Sequence, residues 1–208
     1  MSEINEIKND ESEEIKVPTV SKKEHSALVA VGSFFLEMIK VIILAAITIG
    51  LVRYFLFKPF LVRGQSMEPN YHESDYLIID ELSYRFRDPE RGEVVVVHAP
   101  VGSDYYLKRV IGLPGERVEI KNNKVIIFND QNPQGFILSE AYLNEITEGS
   151  LNKTLGPDEF FVMGDNRGAS YDSRRFGPVK REAIVGRVWL RGWPINRAGV
   201  LKAPDYSL

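Results

Sequence analysis

Apolar positions are distributed in two different ways along this chain. From Phe34 to Phe57 they run almost unbroken, interrupted by Glu37, Lys40, Thr48, Gly50 and Arg53. The uncharged centre, Val41 to Val52, is too short by itself to cross roughly 30 Å of hydrocarbon at about 1.5 Å per residue. Lys40 and Arg53 extend it, because their apolar stems can lie in lipid while their charges reach the headgroups. Phe34 and Phe35 at one end, and Tyr54, Phe55 and Phe57 at the other, suit the two interfaces. Residues 34–57 are therefore expected to form a single transmembrane α-helix. A cleaved secretory leader is the competing reading, and the long polar stretch before the run and the missing small-residue cleavage site after it argue against it.

Beyond Pro59 the pattern changes to short runs rich in Val, Ile and aromatic residues. They cover Tyr76–Asp80, Glu93–His98, Tyr105–Ile111, Arg117–Lys121, Lys124–Phe128, Phe160–Met163 and Ile184–Leu190. Turn signals separate them, among them Asp88-Pro89, Leu113-Pro114-Gly115 and Asn122-Asn123. No long helical period competes. Residues 58–208 are expected to form one mainly antiparallel β domain, with a more polar β/loop insertion at about 117–158.

Composition narrows the class. A net charge of −3 gives no electrostatic reason to expect nucleic acid as a partner. Cysteine is absent, which excludes a disulfide framework and a thiolate metal site. No metal or other cofactor is expected. Residues 1–33 read as an acidic tail, since the Glu, Lys, Asn and Ser that dominate up to about residue 26 leave too little apolar surface to offset chain entropy.

Candidate chemistry begins with Ser66, in the turn Gly64-Gln65-Ser66-Met67-Glu68-Pro69. A hydroxyl is a weak nucleophile until a neighbouring base removes its proton. The three histidines, His25, His72 and His98, form no recognisable triad motif. A lysine stands out instead, Lys108 in Tyr105-Tyr106-Leu107-Lys108-Arg109-Val110-Ile111. Ammonium cannot accept a proton, so a lysine base must be neutral, and burial among apolar neighbours disfavours the charged form. Strand alternation puts Tyr106, Lys108 and Val110 on one face and Arg109 on the other, so only one of the adjacent cations can serve.

Four segments, in this order, resemble bacterial type I signal peptidases, the serine–lysine proteases that remove signal peptides from exported proteins. They are residues 64–69, Arg91-Gly92-Glu93-Val94-Val95-Val96, the stretch from Tyr106 to Glu116, and Gly164-Asp165-Asn166-Arg167-Gly168-Ala169-Ser170-Tyr171-Asp172-Ser173-Arg174. The resemblance covers roughly Phe57 to Trp193. It implies the signal-peptidase/repressor-like β fold, Ser66 as nucleophile and Lys108 as general base. It implies further that Ser170 hydrogen-bonds the lysine, and that Asp165, Asp172 and Arg174 hold the segment together through ion pairs, with Arg109 as partner of Asp165. Gly168 departs from a position that is often Asp or Asn. Gly64 departs where some members carry a serine whose hydroxyl assists the oxyanion. Gly64 lets the backbone approach a substrate closely, the Ser66 N–H is left as donor, and a second donor is unassigned.

The resemblance also implies cleavage after a small-x-small pattern, typically Ala-x-Ala, in shallow apolar pockets at or near Phe60, Val62, Met67 and Leu107. Expected partners are preprotein signal peptides, the lipid bilayer and the protein-export machinery. The tail is then cytoplasmic and the β domain extracytoplasmic, in the plasma membrane or an internal membrane such as the thylakoid. The apolar stretch from Phe55 to Val62 is expected to lie against the bilayer. A self-cleaving repressor-type regulator is disfavoured by the anchor and the lack of a DNA-binding helical domain. A non-catalytic binding domain would need none of Ser66, Lys108, Ser170 and Asp172.

Overall fold

In the computed structural model the described residues are 22–55, 57–100, 102–204 and 206, with side chains placed from 29 to 50 and from 58 onward. Most of the expected tail, and the side chains of Tyr54, Phe55 and Phe57, lie outside that description. The chain divides into two compact units between Thr48 and Ile49. A helix, α1, runs Lys22–Phe55. Its stretch Val29–Gly50 has a mean hydropathy of 2.1 and is long and apolar enough to cross a membrane. The window starts ahead of Phe34 because Val29, Ala30 and Val31 continue the apolar run. Two polar side chains within it are satisfied by the helix itself, Ser33 donating to Ala30 O and Thr48 to Leu44 O, as a lipid environment requires.

The second unit is antiparallel β. Its strands are β1 (Phe57–Leu61), β2 (Tyr76–Asp80), β3 (Val94–His98), β4 (Tyr105–Gly112), β5 (Arg117–Lys121), β6 (Lys124–Phe128), β7 (Phe136–Ile137), β8 (Leu151–Thr154), β9 (Glu159–Met163), β10 (Val179–Lys180), β11 (Ile184–Trp193) and β12 (Gly199–Val200), with one short helix, α2 (Ser173–Phe176), before β10. The large sheet has the order β1-β2-β11-β3-β4-β9-β10, with β12 beside β11. The smaller sheet is β7-β6-β5-β8. Its β5–β6 hairpin turns at Asn122 and Asn123, both with positive φ, the conformation a two-residue turn needs and asparagine tolerates.

The residues from Phe57 to Leu61, expected as a lipid-facing stretch, pair as β1 with β2. Pro59 lacks an N–H, and an edge strand is where a sheet accommodates that loss. Both faces of the large sheet are covered. In β3, Val94 and Val96 enter one apolar cluster with Met67, Tyr71, Leu77, Ile79 and Leu107. Val95 and Val97 enter the opposite cluster with Val110, Phe160, Val162 and Ile184. A third cluster, including Ile111, Val118, Ile127, Phe161 and Met163, joins the two sheets. Four consecutive buried valines thus serve two cores by period-two alternation.

Candidate active site

The site lies where β4 loses β9 as a neighbour while it stays paired with β3. Pairing between β4 and β9 begins at Arg109↔Met163, so Lys108 stands one residue beyond the ladder. Two segments converge there: the turn carrying Ser66 and the polar stretch from Gly164 to Arg174. They are joined by a backbone hydrogen bond from Asn166 N to Ser66 O at 3.1 Å.

Lys108 Nζ is 2.8 Å from Ser66 Oγ and donates to Leu107 O at 3.0 Å. The lysine is 3% exposed. Burial pushes its pKa down from 10.5 to about 8; Asp172 and Asp165 act in the opposite direction, and Arg174 adds to the lowering. Removal of water from the ammonium therefore outweighs the two carboxylates. Tyr106, on the same strand face, sets its ring 5.4 Å from Nζ and packs with Tyr171 and Phe176. Of the two histidines with placed side chains neither is bound to Ser66: His72 lies 3.9 Å from Glu68, and the His98 ring sits tilted against Tyr105 with centroids 4.4 Å apart.

Ser66 and Lys108 open onto a cleft of about 540 Å³. Phe60, Val62, Met67 and Leu107 all line it. Val62, Met67 and Leu107 also belong to the first core cluster, so the same side chains fill the domain and shape the cleft wall. Gly64 has φ +79°, a region that a residue with a Cβ enters only with strain. That geometry suits glycine at this position.

Arg109, on the opposite strand face from Lys108, forms a two-pronged pair with Asp165, Nε to Oδ1 at 2.8 Å and Nη2 to Oδ2 at 2.6 Å. Burial opposes the guanidinium charge, and Asp165 reverses that, raising its pKa. Asp172 caps α2 by accepting from Arg174 N, and its carboxylate also receives the Arg174 guanidinium and Gly164 N. Burial would raise the Asp172 carboxyl, but Arg174 and the Gly164 N–H outweigh it and hold it below the ordinary value.

Ser170 differs from expectation. Its Oγ is buried and makes no hydrogen bond of normal geometry; the charged group it faces is the Asp172 carboxylate, whose pKa it helps to lower. The bond to Lys108 that the resemblance implies is not formed in this arrangement, and Nζ is directed at Ser66 and the Leu107 carbonyl instead. Gly164 explains the tight fit of these parts: a Cβ there would collide with Ser170 Oγ and Ser66 O. Any larger residue would drive the two segments apart.

Several residues in the site carry no recognisable chemical signature in the sequence. Asn70 Nδ2 donates to Asp165 Oδ2 and to Tyr142 O, both at 2.9 Å. Arg167, 3% exposed, donates from Nε to Gly164 O at 3.0 Å and pairs with Glu140. Arg167 sits inside a segment whose composition already draws attention, whereas Glu140 lies in a loop with no local pattern to mark it. Among the described residues no group of three or more His, Asp or Glu is placed to hold a metal ion.

Known proteins share this chain's features at length. Residues 35–193 match the family described as signal peptidase, peptidase S26. A probable signal peptidase I-2 of Synechocystis sp. is 37% identical over 174 residues, covering 80% of this chain and 77% of that protein. Signal peptidase I P of Bacillus subtilis subsp. natto is 37% identical over 177 residues, covering 79% and 92%. A crystal structure of a signal peptidase I from Enterococcus faecalis has 32% sequence identity and a TM-score of 0.43, covering 49% of this chain and 97% of that one. The fold and the family together define a serine endopeptidase. More particularly, the chain belongs to the signal peptidase family, peptidase S26.

Proposed function

We propose that this protein removes N-terminal signal peptides from exported preproteins, cutting after a small-x-small motif, with Ser66 as nucleophile and neutral Lys108 as general base. The observation that carries the reading is a 2.8 Å approach of a buried lysine Nζ to a serine Oγ at the floor of an open cleft. The neutral amine takes the Ser66 proton as Oγ attacks the scissile carbonyl. Negative charge then develops on the carbonyl oxygen, and the Ser66 N–H, which makes no backbone hydrogen bond among the described residues, is the donor available to it. The new ammonium returns its proton to the leaving amine. A water activated by the same lysine releases the acyl-enzyme. Ser170, whose buried hydroxyl faces Asp172 and makes no hydrogen bond of normal geometry, is the acceptor for the transient ammonium.

The preprotein lies extended in the cleft, its two small side chains against walls formed by Phe60, Val62, Met67 and Leu107. The chain is held in its membrane by residues 34–57, with residues 1–33 cytoplasmic and residues 58–208 outside. The test uses the full chain in detergent and a preprotein bearing Ala-x-Ala. Cleavage after the second Ala is expected, and replacing either Ala by Phe should suppress it by at least about 100-fold through steric exclusion, a loss of roughly 3 kcal/mol in transition-state binding. Cleavage indifferent to both Ala→Phe changes would overturn the specificity.

A pH profile follows from Lys108. Below about pH 8 the lysine is protonated and cannot act as base, so kcat/KM should rise about tenfold per pH unit up to an apparent pKa of about 8 and then level off. A rate that falls steadily between about pH 6 and 9 would exclude a lysine base.

A further inference from the structure

The loop that joins β7 to β8 takes no part in the proposed chemistry, yet it grips both segments that meet at Ser66. On one side, Tyr142 O accepts from Asn70 Nδ2 at 2.9 Å. Asn70 N and Tyr71 N in turn donate to Met67 O, so the loop holds the turn that follows the nucleophile. On the other side, Glu140 receives both terminal nitrogens of Arg167, Nη1 to Oε2 at 3.1 Å and Nη2 to Oε1 at 2.5 Å. Thr147 Oγ1 accepts from the same Nη1. Tyr142 OH donates to Glu140 Oε1 at 3.1 Å, bracing the carboxylate.

Arg167 passes this grip to the site. Its Nε holds Gly164 O at 3.0 Å, and Asn166, its neighbour, donates its backbone N–H to Ser66 O. Gly164 packs so closely on Ser66 O and Ser170 that not even a methyl group fits between them. A displacement of Arg167 is therefore transmitted to the nucleophile's own carbonyl. The Arg167 side chain is 1% exposed and that of Glu140 is 12% exposed, so water does not replace the carboxylate easily.

We infer that Glu140 is a positioning residue for Ser66, acting through Arg167 to fix Gly164 and Asn166 against the nucleophile turn. It touches neither substrate nor the reacting atoms. The smaller sheet then has a specific purpose: it presents a loop that locks two distant segments in register. The inference rests on the proposed role of Ser66.

The test compares the full chain in detergent with Glu140→Ala and with Glu140→Ala/Arg167→Met, reading kcat, KM and thermal midpoint. In the single variant kcat should fall about 10- to 100-fold, the scale of a small misplacement of reacting groups, while KM changes little because the cleft lining is intact. The double variant removes the unpaired guanidinium, so its thermal midpoint should recover. Its kcat should stay low, because Gly164 O and Asn166 are still untethered. Parent kcat in the single variant, or a kcat that recovers together with the midpoint in the double variant, overturns the inference and leaves the pair a matter of stability alone. If the single variant is too unstable to purify, kcat of the double variant decides the question. Failure of the underlying reading shows separately, as retained activity in Ser66→Ala in the same assay.

Discussion

Ser66→Ala and Lys108→Ala should each lower preprotein turnover by at least about 10³-fold, and the double variant should be no worse than either single one. The reason is geometric. Oγ and Nζ, 2.8 Å apart, act as one unit: without the base the hydroxyl is inert, and without the hydroxyl the base has nothing to activate. Turnover of a preprotein by the three purified variants decides this, and multiplicative losses would mean that the two groups act in separate steps. Lys108→Met adds a stability reading. In the folded chain burial brings the lysine from 10.5 to about 8, so keeping it charged costs about 3 kcal/mol. At about pH 7 both folded and unfolded states hold the proton, and the cost is fully present. Between about pH 8 and 10.5 only the unfolded state still holds it, so parent stability should climb with pH across that window. Lys108→Met should lack that climb and be the more stable protein near neutral pH, though inactive.

Asp165→Ala should destabilise the domain by about 3–5 kcal/mol. Asp165 is 2% exposed, and its two oxygens hold Arg109 and Asn70. Its loss strands a guanidinium that is itself 4% exposed and has the Gly92 carbonyl as a remaining hydrogen-bond acceptor. Replacing both partners by apolar residues, Arg109→Met with Asp165→Leu, should recover most of that loss, because the cost lies in the unpaired charge rather than in the absence of the pair. Chemical denaturation of the three variants measures it. A double variant as unstable as Asp165→Ala would show that the pair's hydrogen bonds, not its charge, hold the fold.

Much of the β domain is legible in the sequence, for a local reason. β2, β5 and β6 coincide with the strands expected from Tyr76–Asp80, Arg117–Lys121 and Lys124–Phe128, and β3, β4 and β9 each differ at one end by a single residue. Each has Val, Ile or aromatic residues in a run bounded by turn formers, and that pattern belongs to the segment itself. β1, β7, β8, β10 and β12 carry no such signal. Three of them are two residues long, β1 contains Pro59, and β8 reads Leu151-Asn152-Lys153-Thr154, with one apolar side chain. Such strands exist because a neighbouring edge offers hydrogen-bond partners, and no property of their own residues announces it.

The sequence by itself determined the apolar helix and the antiparallel β class, because periodicity is local, and its resemblance to a known family singled out Ser66 and Lys108 as a candidate dyad. Only the tertiary structure decided that Ser66 and Lys108, 42 positions apart, meet at 2.8 Å, and that Lys108 is dry enough to lose its proton near pH 8. It also decided that Ser170 makes no bond to the lysine and that Glu140 reaches Arg167. Distance across a fold and the loss of water around a charge are sums over neighbours from many segments. No stretch of chain carries that sum until the sheets have packed.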